Sequence, residues 1–333
     1  MTGLFRKLIF ALVPLVVLWG LSEMGLRTIG WPSVEGAFTH NEPFWVVDPD
    51  LQGQPTAHNE EQTSFQVSTN SDGLRAPLHS IEPGDSIWRV MTLGCSTTYG
   101  WGVADAASYP ARLEALIHEQ GRENVEVING GQPGYTSFQG RWLWNERLKD
   151  YKPNVVMIGY IVQDARKAAY TDKSQAILQG DARFLKENLF YRSRVYLALQ
   201  SVIGKAQIRA KERGEYDEGG VYRVPPEDYV ENLRVLVGEV QSIGGTPVLF
   251  GYPLERSGYT SDHRMILKAA ADELGILHFD PQAQMEQASR SGQYYFSRDR
   301  GHANADGNDL IARWVLDFLT ENSLLGASEG GLR

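Results

Sequence analysis

From Trp88 onward, short apolar runs of β-type residues alternate with stretches whose apolar residues recur at helical spacing. This alternation restricts the fold more than any other feature of the chain. The runs are Trp88–Leu93, Val125–Ile128, Asn154–Tyr160, Thr246–Phe250 and Ile276–Phe279. Between them, Tyr109, Leu113, Leu116 and Ile117 fall on one helical face, and Gly121 supplies a stop. Tyr229, Leu233, Leu236, Val237, Val240 and Ile243 make a longer stripe that ends at Gly244-Gly245, and Leu310, Ile311, Trp314, Val315, Phe318 and Leu319 make the last one. Strand runs separated by amphipathic helices describe a parallel sheet with crossover helices, and each stripe is expected to face its core.

Residues 165–225 break this rhythm. They are rich in Lys, Arg, Asp and Glu, contain aromatic pairs such as Phe190-Tyr191, and offer no convincing strand. Some sixty residues far exceed an ordinary connection, so the segment is expected to be an insertion or lid.

Ahead of the alternating region, Arg6 and Lys7 precede the apolar run Leu8–Leu21, which continues to Leu26. Residues 8–26 as a helix would span about 28 Å, near the thickness of a hydrocarbon core. The two cations on the N-terminal flank would keep that end in the cytoplasm and export the remainder. No small-x-small cleavage site follows, which favours a retained signal anchor over a removed signal peptide, and a buried core helix is disfavoured because the run has no polar face. The expected organisation is therefore an anchor at 1–27, a turn-rich extension at 28–86, a catalytic domain at 87–322 carrying the insertion, and a tail at 323–333. The inner membrane would hold the chain by a single pass, with the domain on the periplasmic side.

Composition excludes several functions. A formal charge of −9 and a pI near 5.4 lack the basic footprint that nucleic-acid binding needs. Cys95 is the only cysteine, so neither an intrachain disulfide nor a cysteine-based metal site is available. The seven histidines show no ligand-like pairing, and no cofactor motif such as GxGxxG or a P-loop follows the first strand.

Three segments carry chemically useful groups. Trp88–Leu93 runs into Gly94-Cys95-Ser96-Thr97-Thr98-Tyr99-Gly100, which places a serine past the carboxyl end of the first strand, where open α/β sheets bind ligands. The same segment also reads as a plain strand-to-helix turn with a capping serine. Near the C-terminus, Asp299-Arg-Gly-His302 precedes the strongest amphipathic helix. An imidazole there could serve as base to a hydroxyl with the carboxylate orienting it, or could simply be a solvated histidine. Asn129-Gly-Gly-Gln-Pro-Gly134 follows the second run and could offer a backbone N–H to an oxyanion, or be a flexible turn.

Taken in order, Ser96 after strand one, Gly134 after strand two, an acidic segment after strand three and Asp299-x-x-His302 before the last helix resemble the SGNH (GDSL-like) hydrolase superfamily. The phrase Asp299–Gly307 resembles its last block and Val127–Ser137 its second. Asn70-Ser-Asp-Gly-Leu-Arg75 resembles a segment that precedes the catalytic domain in membrane-anchored bacterial members. The resemblance covers about residues 65–320. It implies a three-layer α/β/α sandwich with a flavodoxin-like, five-stranded parallel sheet. Ser96 would be nucleophile, His302 general base and Asp299 its partner, with the N–H groups of Ser96 and Gly134 in the oxyanion hole.

Two positions depart from that family. Cys95 stands where an Asp is usual, which leaves the thiol as a disfavoured alternative nucleophile. The third block reads Ile161-Val-Gln163-Asp164, so Gln163, one methylene longer, replaces the asparagine that donates to the oxyanion. The expected activity is that of a membrane-tethered esterase or O-acyltransferase acting on an acylated carbohydrate or small ester, with no cofactor and no nucleic-acid partner. A domain of the same fold that is catalytically weak, and binds glycan or scaffolds an envelope assembly, is the second reading.

Overall fold

A computed structural model describes residues 2–31, 67–177, 192–199, 202, 220–297 and 301–326. Contacts divide the chain into two compact units, Met1–Trp45 with Lys173–Gly220, and Val46–Asp172 with Val221–Arg333.

Among the described residues the strands all lie in the second unit: β1 (Trp88–Gly94), β2 (Val125–Gly131), β3 (Val155–Ile158), β4 (Lys167–Ala168), β5 (Val221–Tyr222), β6 (Thr246–Phe250) and β7 (Leu277–Phe279). Five of them form one parallel sheet in the order β2-β1-β3-β6-β7. The central runs show little alternation because helices cover both faces, and the one charge in them, Arg89 on β1, is buried and pairs with Glu126 on β2. Val90, Met91, Leu93, Val155–Ile158 and Val248–Phe250 are all buried. The helices Tyr109–Glu119 and Ala305–Glu321 pack together, while Pro226–Ser242 packs against both Ser137–Glu146 and Ser261–Leu274. Chain order reverses between β1 and β3, and the carboxyl ends of strands at such a reversal are where open α/β sheets form their ligand crevice.

The first stripe is buried throughout, while in the last one Ile311, Val315 and Leu319 are buried and Leu310, Trp314 and Phe318 half-buried. Tyr229, Leu233, Leu236, Val237 and Val240 are buried, but Ile243 lies past the end of its helix and is 40% exposed. Residues on both sides of the alternating region pack against it. Val67, Leu74 and Arg75 from the upstream segment are buried, and Arg75 pairs by a β-bridge with Asn129. At the other end the Trp88 indole donates to Leu324 O and Arg122 donates to Gly326 O, so residues 324–326 are held while Ala327–Arg333 lie outside the described residues.

The predicted insertion contains strands after all. β4 and β5 pair antiparallel at its base, Lys167 opposite Tyr222 and Ala168 opposite Val221. They escaped the periodicity because two residues are too few to show alternation. The ribbon continues by backbone bonds from Arg223 to Arg166 O and from Asp172 to Arg223 O. Phe190-Tyr191 lie outside the described residues.

In the first unit, the helix Thr2–Thr28 leaves Leu12, Val13, Leu15, Val16, Val17, Leu18 and Trp19 exposed. Near its end the Glu23 carboxylate accepts bonds from Ser193 Oγ, Arg194 N and Val195 N, while Arg27 pairs with it one turn on. Among the described residues no helix is long and apolar enough to cross a membrane. Of the expected span 8–26, the side chains of Leu8, Ile9 and Ala11 lie outside the described residues.

Candidate active site

β1 delivers Ser96 to the crevice. The strand ends at Gly94, Cys95 caps the short helix Ser96–Tyr99, and Ser96 is its first residue, only 6% exposed. The N-cap position belongs to Cys95, whose side chain makes no cap bond, so Ser96 as the first helical residue is not the capping serine. Its hydroxyl instead meets His302, whose Nε2 lies 2.8 Å from Ser96 Oγ.

Local turns hold the imidazole in place. His302 O accepts the Phe296 N–H, Tyr295 bridges to Ala303, and the Asn304 side chain caps the last helix by accepting from Gly307 N at 2.9 Å. A hydroxyl and an imidazole at this distance have the geometry that proton transfer from one to the other requires. Asp299, the expected orienting carboxylate, lies outside the described residues.

Two glycine features keep the second loop close to Ser96. At Gly131, the end of β2, a Cβ would sit 2.4 Å from Tyr99 N, so only glycine lets this strand run against the Ser96 helix. Gln132-Pro-Gly134-Tyr135 then forms a turn with proline second and Gly134 third at φ +80°, closed by Tyr135 N–H to Gln132 O at 3.1 Å. That is a type II turn, which needs a residue tolerant of positive φ in third position. Gln132 N–H also bonds Gly94 O at 3.0 Å, fixing the loop to the end of β1. The glycines therefore serve a defined turn.

Gln163 follows β3 and is almost buried. Its Oε1 accepts a hydrogen bond from Arg223 Nη1 at 3.0 Å, and the same nitrogen donates to Gly134 O at 2.9 Å. Asp164, also in the third block, is fully buried and accepts both the N–H and the hydroxyl of Ser137, which anchors the helix Ser137–Glu146. Burial pushes its carboxyl up to about 7 against the pull of those two bonds and of Arg223.

Cys95 is buried, and that burial pushes its thiol above the ordinary range. A thiol in that state resists forming the nucleophilic thiolate, so the disfavoured alternative has no support in the geometry. Among the described residues no group of three or more His, Cys, Asp or Glu is arranged to hold a metal ion.

Arg223 and the buried Arg75 are neighbours of these segments that sequence reasoning left unassigned. Arg75 donates to Asp105, to the carbonyls of Tyr99 and Gly100 at the end of the Ser96 helix, and to Val103 O. The available signal was weak in both cases. Each is a lone cation among apolar or turn residues, in Gly-Leu-Arg75 and in Val-Tyr-Arg223-Val.

A protein-family model described as the GDSL-like Lipase/Acylhydrolase family matches residues 92–310, more than half of the 333-residue chain. No curated protein is matched. Among similar solved structures is LAE5, an alpha/beta hydrolase enzyme from the metagenome of Lake Arreo, Spain. It is 17% identical, with 75% of this chain and 100% of that one covered and a TM-score of 0.47. A lipase/acylhydrolase from Enterococcus faecalis is 15% identical, covering 71% and 97% at a TM-score of 0.47. A catalytic mutant of an acetylxylan esterase from Geobacillus stearothermophilus is 18% identical, covering 73% and 96% at 0.45.

Proposed function

The chain belongs to the GDSL-like lipase/acylhydrolase family, and from that premise we infer that it is a membrane-tethered serine esterase or O-acyltransferase working on an acylated carbohydrate or small ester. The observation that carries the inference is the 2.8 Å contact between Ser96 Oγ and His302 Nε2 at the carboxyl end of β1.

In the first half-reaction, His302 Nε2 takes the Ser96 proton as Oγ bonds to the substrate carbonyl carbon, and the carbonyl oxygen becomes an oxyanion. Collapse of that intermediate breaks the ester C–O bond, and the imidazolium returns its proton to the departing alcohol, leaving an acyl-serine. Water completes hydrolysis by the same route, and a sugar hydroxyl in its place completes transfer. Asp299 is the proposed partner of His302. The N–H groups of Ser96 and Gly134, with the amide of Gln163, are the proposed oxyanion donors.

The tether is proposed to be residues 8–26. Its support is the Arg6-Lys7 flank together with the exposure of Leu12, Val13, Leu15, Val16, Val17, Leu18 and Trp19 on the helix. Exposed apolar residues on every side of one helix suit lipid better than water.

A fluorophosphonate probe tests the chemistry. It should label the wild-type chain and not Ser96→Ala, and p-nitrophenyl acetate should be turned over by the former alone. A wild-type protein that resists the probe yet retains carbohydrate would support the binding-module reading instead. A reporter fused after Arg333 should be active outside the cytoplasm, and activity only inside it would refute the orientation.

A further inference from the structure

Arg223 uses every N–H group of its guanidinium. Nε donates to Asp172 Oδ1 at 2.9 Å, and Nη2 donates to Asp172 Oδ2 at 2.8 Å and to Gln139 Oε1 at 3.2 Å. Nη1 donates to Gly134 O at 2.9 Å and to Gln163 Oε1 at 3.0 Å. Asp172 is itself 7% exposed and also accepts the Thr136 hydroxyl at 2.7 Å, so the ion pair is seated in a largely dry cluster beside the second loop. The β4–β5 ribbon carries Arg223 there from the far end of the insertion.

A guanidinium can only donate, so the Gln163 atom facing it must be the oxygen. The amide is planar, and its NH2 group therefore faces away from Arg223. Among the described residues no acceptor takes a bond from it. Gln163 thus keeps a donor uncommitted while its oxygen is fixed to the same nitrogen that holds the Gly134 carbonyl.

We propose that Arg223 is a positioning residue of the oxyanion hole, clamping Gly134 and the oxygen of Gln163 on one nitrogen so that the Gln163 NH2 is presented to the developing oxyanion. This rests on the serine-hydrolase reading given above. The clamp offsets the extra methylene of Gln163, which would otherwise leave its amide free to rotate among several directions. Lysine cannot replace it, since an ammonium has three donors at one point and cannot grip Asp172, Gly134 and Gln163 in one plane.

The test uses the full-length chain with p-nitrophenyl acetate, active sites being counted by fluorophosphonate labelling. Arg223→Lys, which keeps a cation opposite Asp172, should lower kcat per labelled site by roughly 10- to 1,000-fold, the upper figure being loss of a whole oxyanion donor, with KM little changed. A role confined to folding would lower the labelled fraction and the melting temperature but not kcat per labelled site. In a Gln163→Ala background the same substitution should cost much less, because its target is already gone. Wild-type kcat in Arg223→Lys, or an undiminished loss in the Gln163→Ala background, would overturn the proposal. If Arg223→Lys does not fold, Gln163→Ala decides alone, since wild-type kcat there leaves Arg223 nothing to position. Failure of the parent reading looks different: the wild type itself would neither be labelled nor turn over ester.

Discussion

Ser96 Oγ and His302 Nε2 lie 2.8 Å apart although 206 residues separate them in the chain. Neither side chain reaches the other through local structure. β1 brings the first to the crevice, and the turn before the last helix brings the second. Ser96→Ala and His302→Ala should each reduce ester turnover by about 10,000-fold or more, with circular dichroism and melting unchanged, because members of such a pair act as a unit. Purified Ser96→Ala with wild-type activity would end the mechanism.

Gln163 allows a finer test. Removing its amide in Gln163→Ala should lower kcat by roughly 100- to 1,000-fold with little change in KM, as expected of a contact made mainly in the transition state. Gln163→Asn shortens the side chain and so cannot reach both Arg223 and the oxyanion. It should fall between the two rather than exceed wild type. A faster Asn variant would show that the Arg223 contact is not needed.

Cys95 should be inert. Buried and with a raised thiol pKa, it should resist iodoacetamide in the native protein and react once the chain is unfolded in guanidinium. Rapid native alkylation with loss of activity would reopen the question of the nucleophile.

Arg75 should matter for stability. Its guanidinium bonds the carbonyls of Tyr99, Gly100 and Val103 and pairs with Asp105, so Arg75→Met removes a donor from each of them and the cation beside Asp105. We expect a loss of roughly 3 kcal/mol or more in urea unfolding. A chain truncated just before Trp88 should fail to fold for the same reason. A soluble, active protein lacking residues 1–87 would contradict this.

Asp164 should leave a mark on stability against pH. Its folded carboxyl titrates near 7 rather than at the ordinary 3.8, because burial penalises the charge. Below about pH 4 the group is neutral in both states. As pH rises towards about 7, the unfolded chain loses its proton first and stability falls, levelling off above that range. Asp164→Asn still accepts from Ser137 through its oxygen and should remove this component. The urea midpoint of the variant should therefore fall less than that of wild type between pH 5 and pH 8. Parallel curves would show that Asp164 is ionised throughout.

The sheet, its crossover helices and the segments that carry chemistry were legible in the amino-acid order because each is written locally. Leu93-Gly94-Cys95-Ser96 marks a strand and its turn, Pro133-Gly134 marks a tight bend, and Ile311, Val315 and Leu319 mark a buried helical face. No local rule distinguishes the cations. Arg75 and Arg223 stand in ordinary turn and strand contexts, and what they do depends on carbonyls and carboxylates from elsewhere in the chain, Tyr99 and Val103 for one, Gly134, Gln163 and Asp172 for the other. The direction of the Gln163 amide has the same origin, since nothing in Val-Gln-Asp says which end will meet a guanidinium. Periodicity reports which face of an element is dry. Which polar atoms then meet across the loops depends on how the whole chain closes, because a hydrogen bond requires its partners within about 3 Å and sequence spacing carries no such distance.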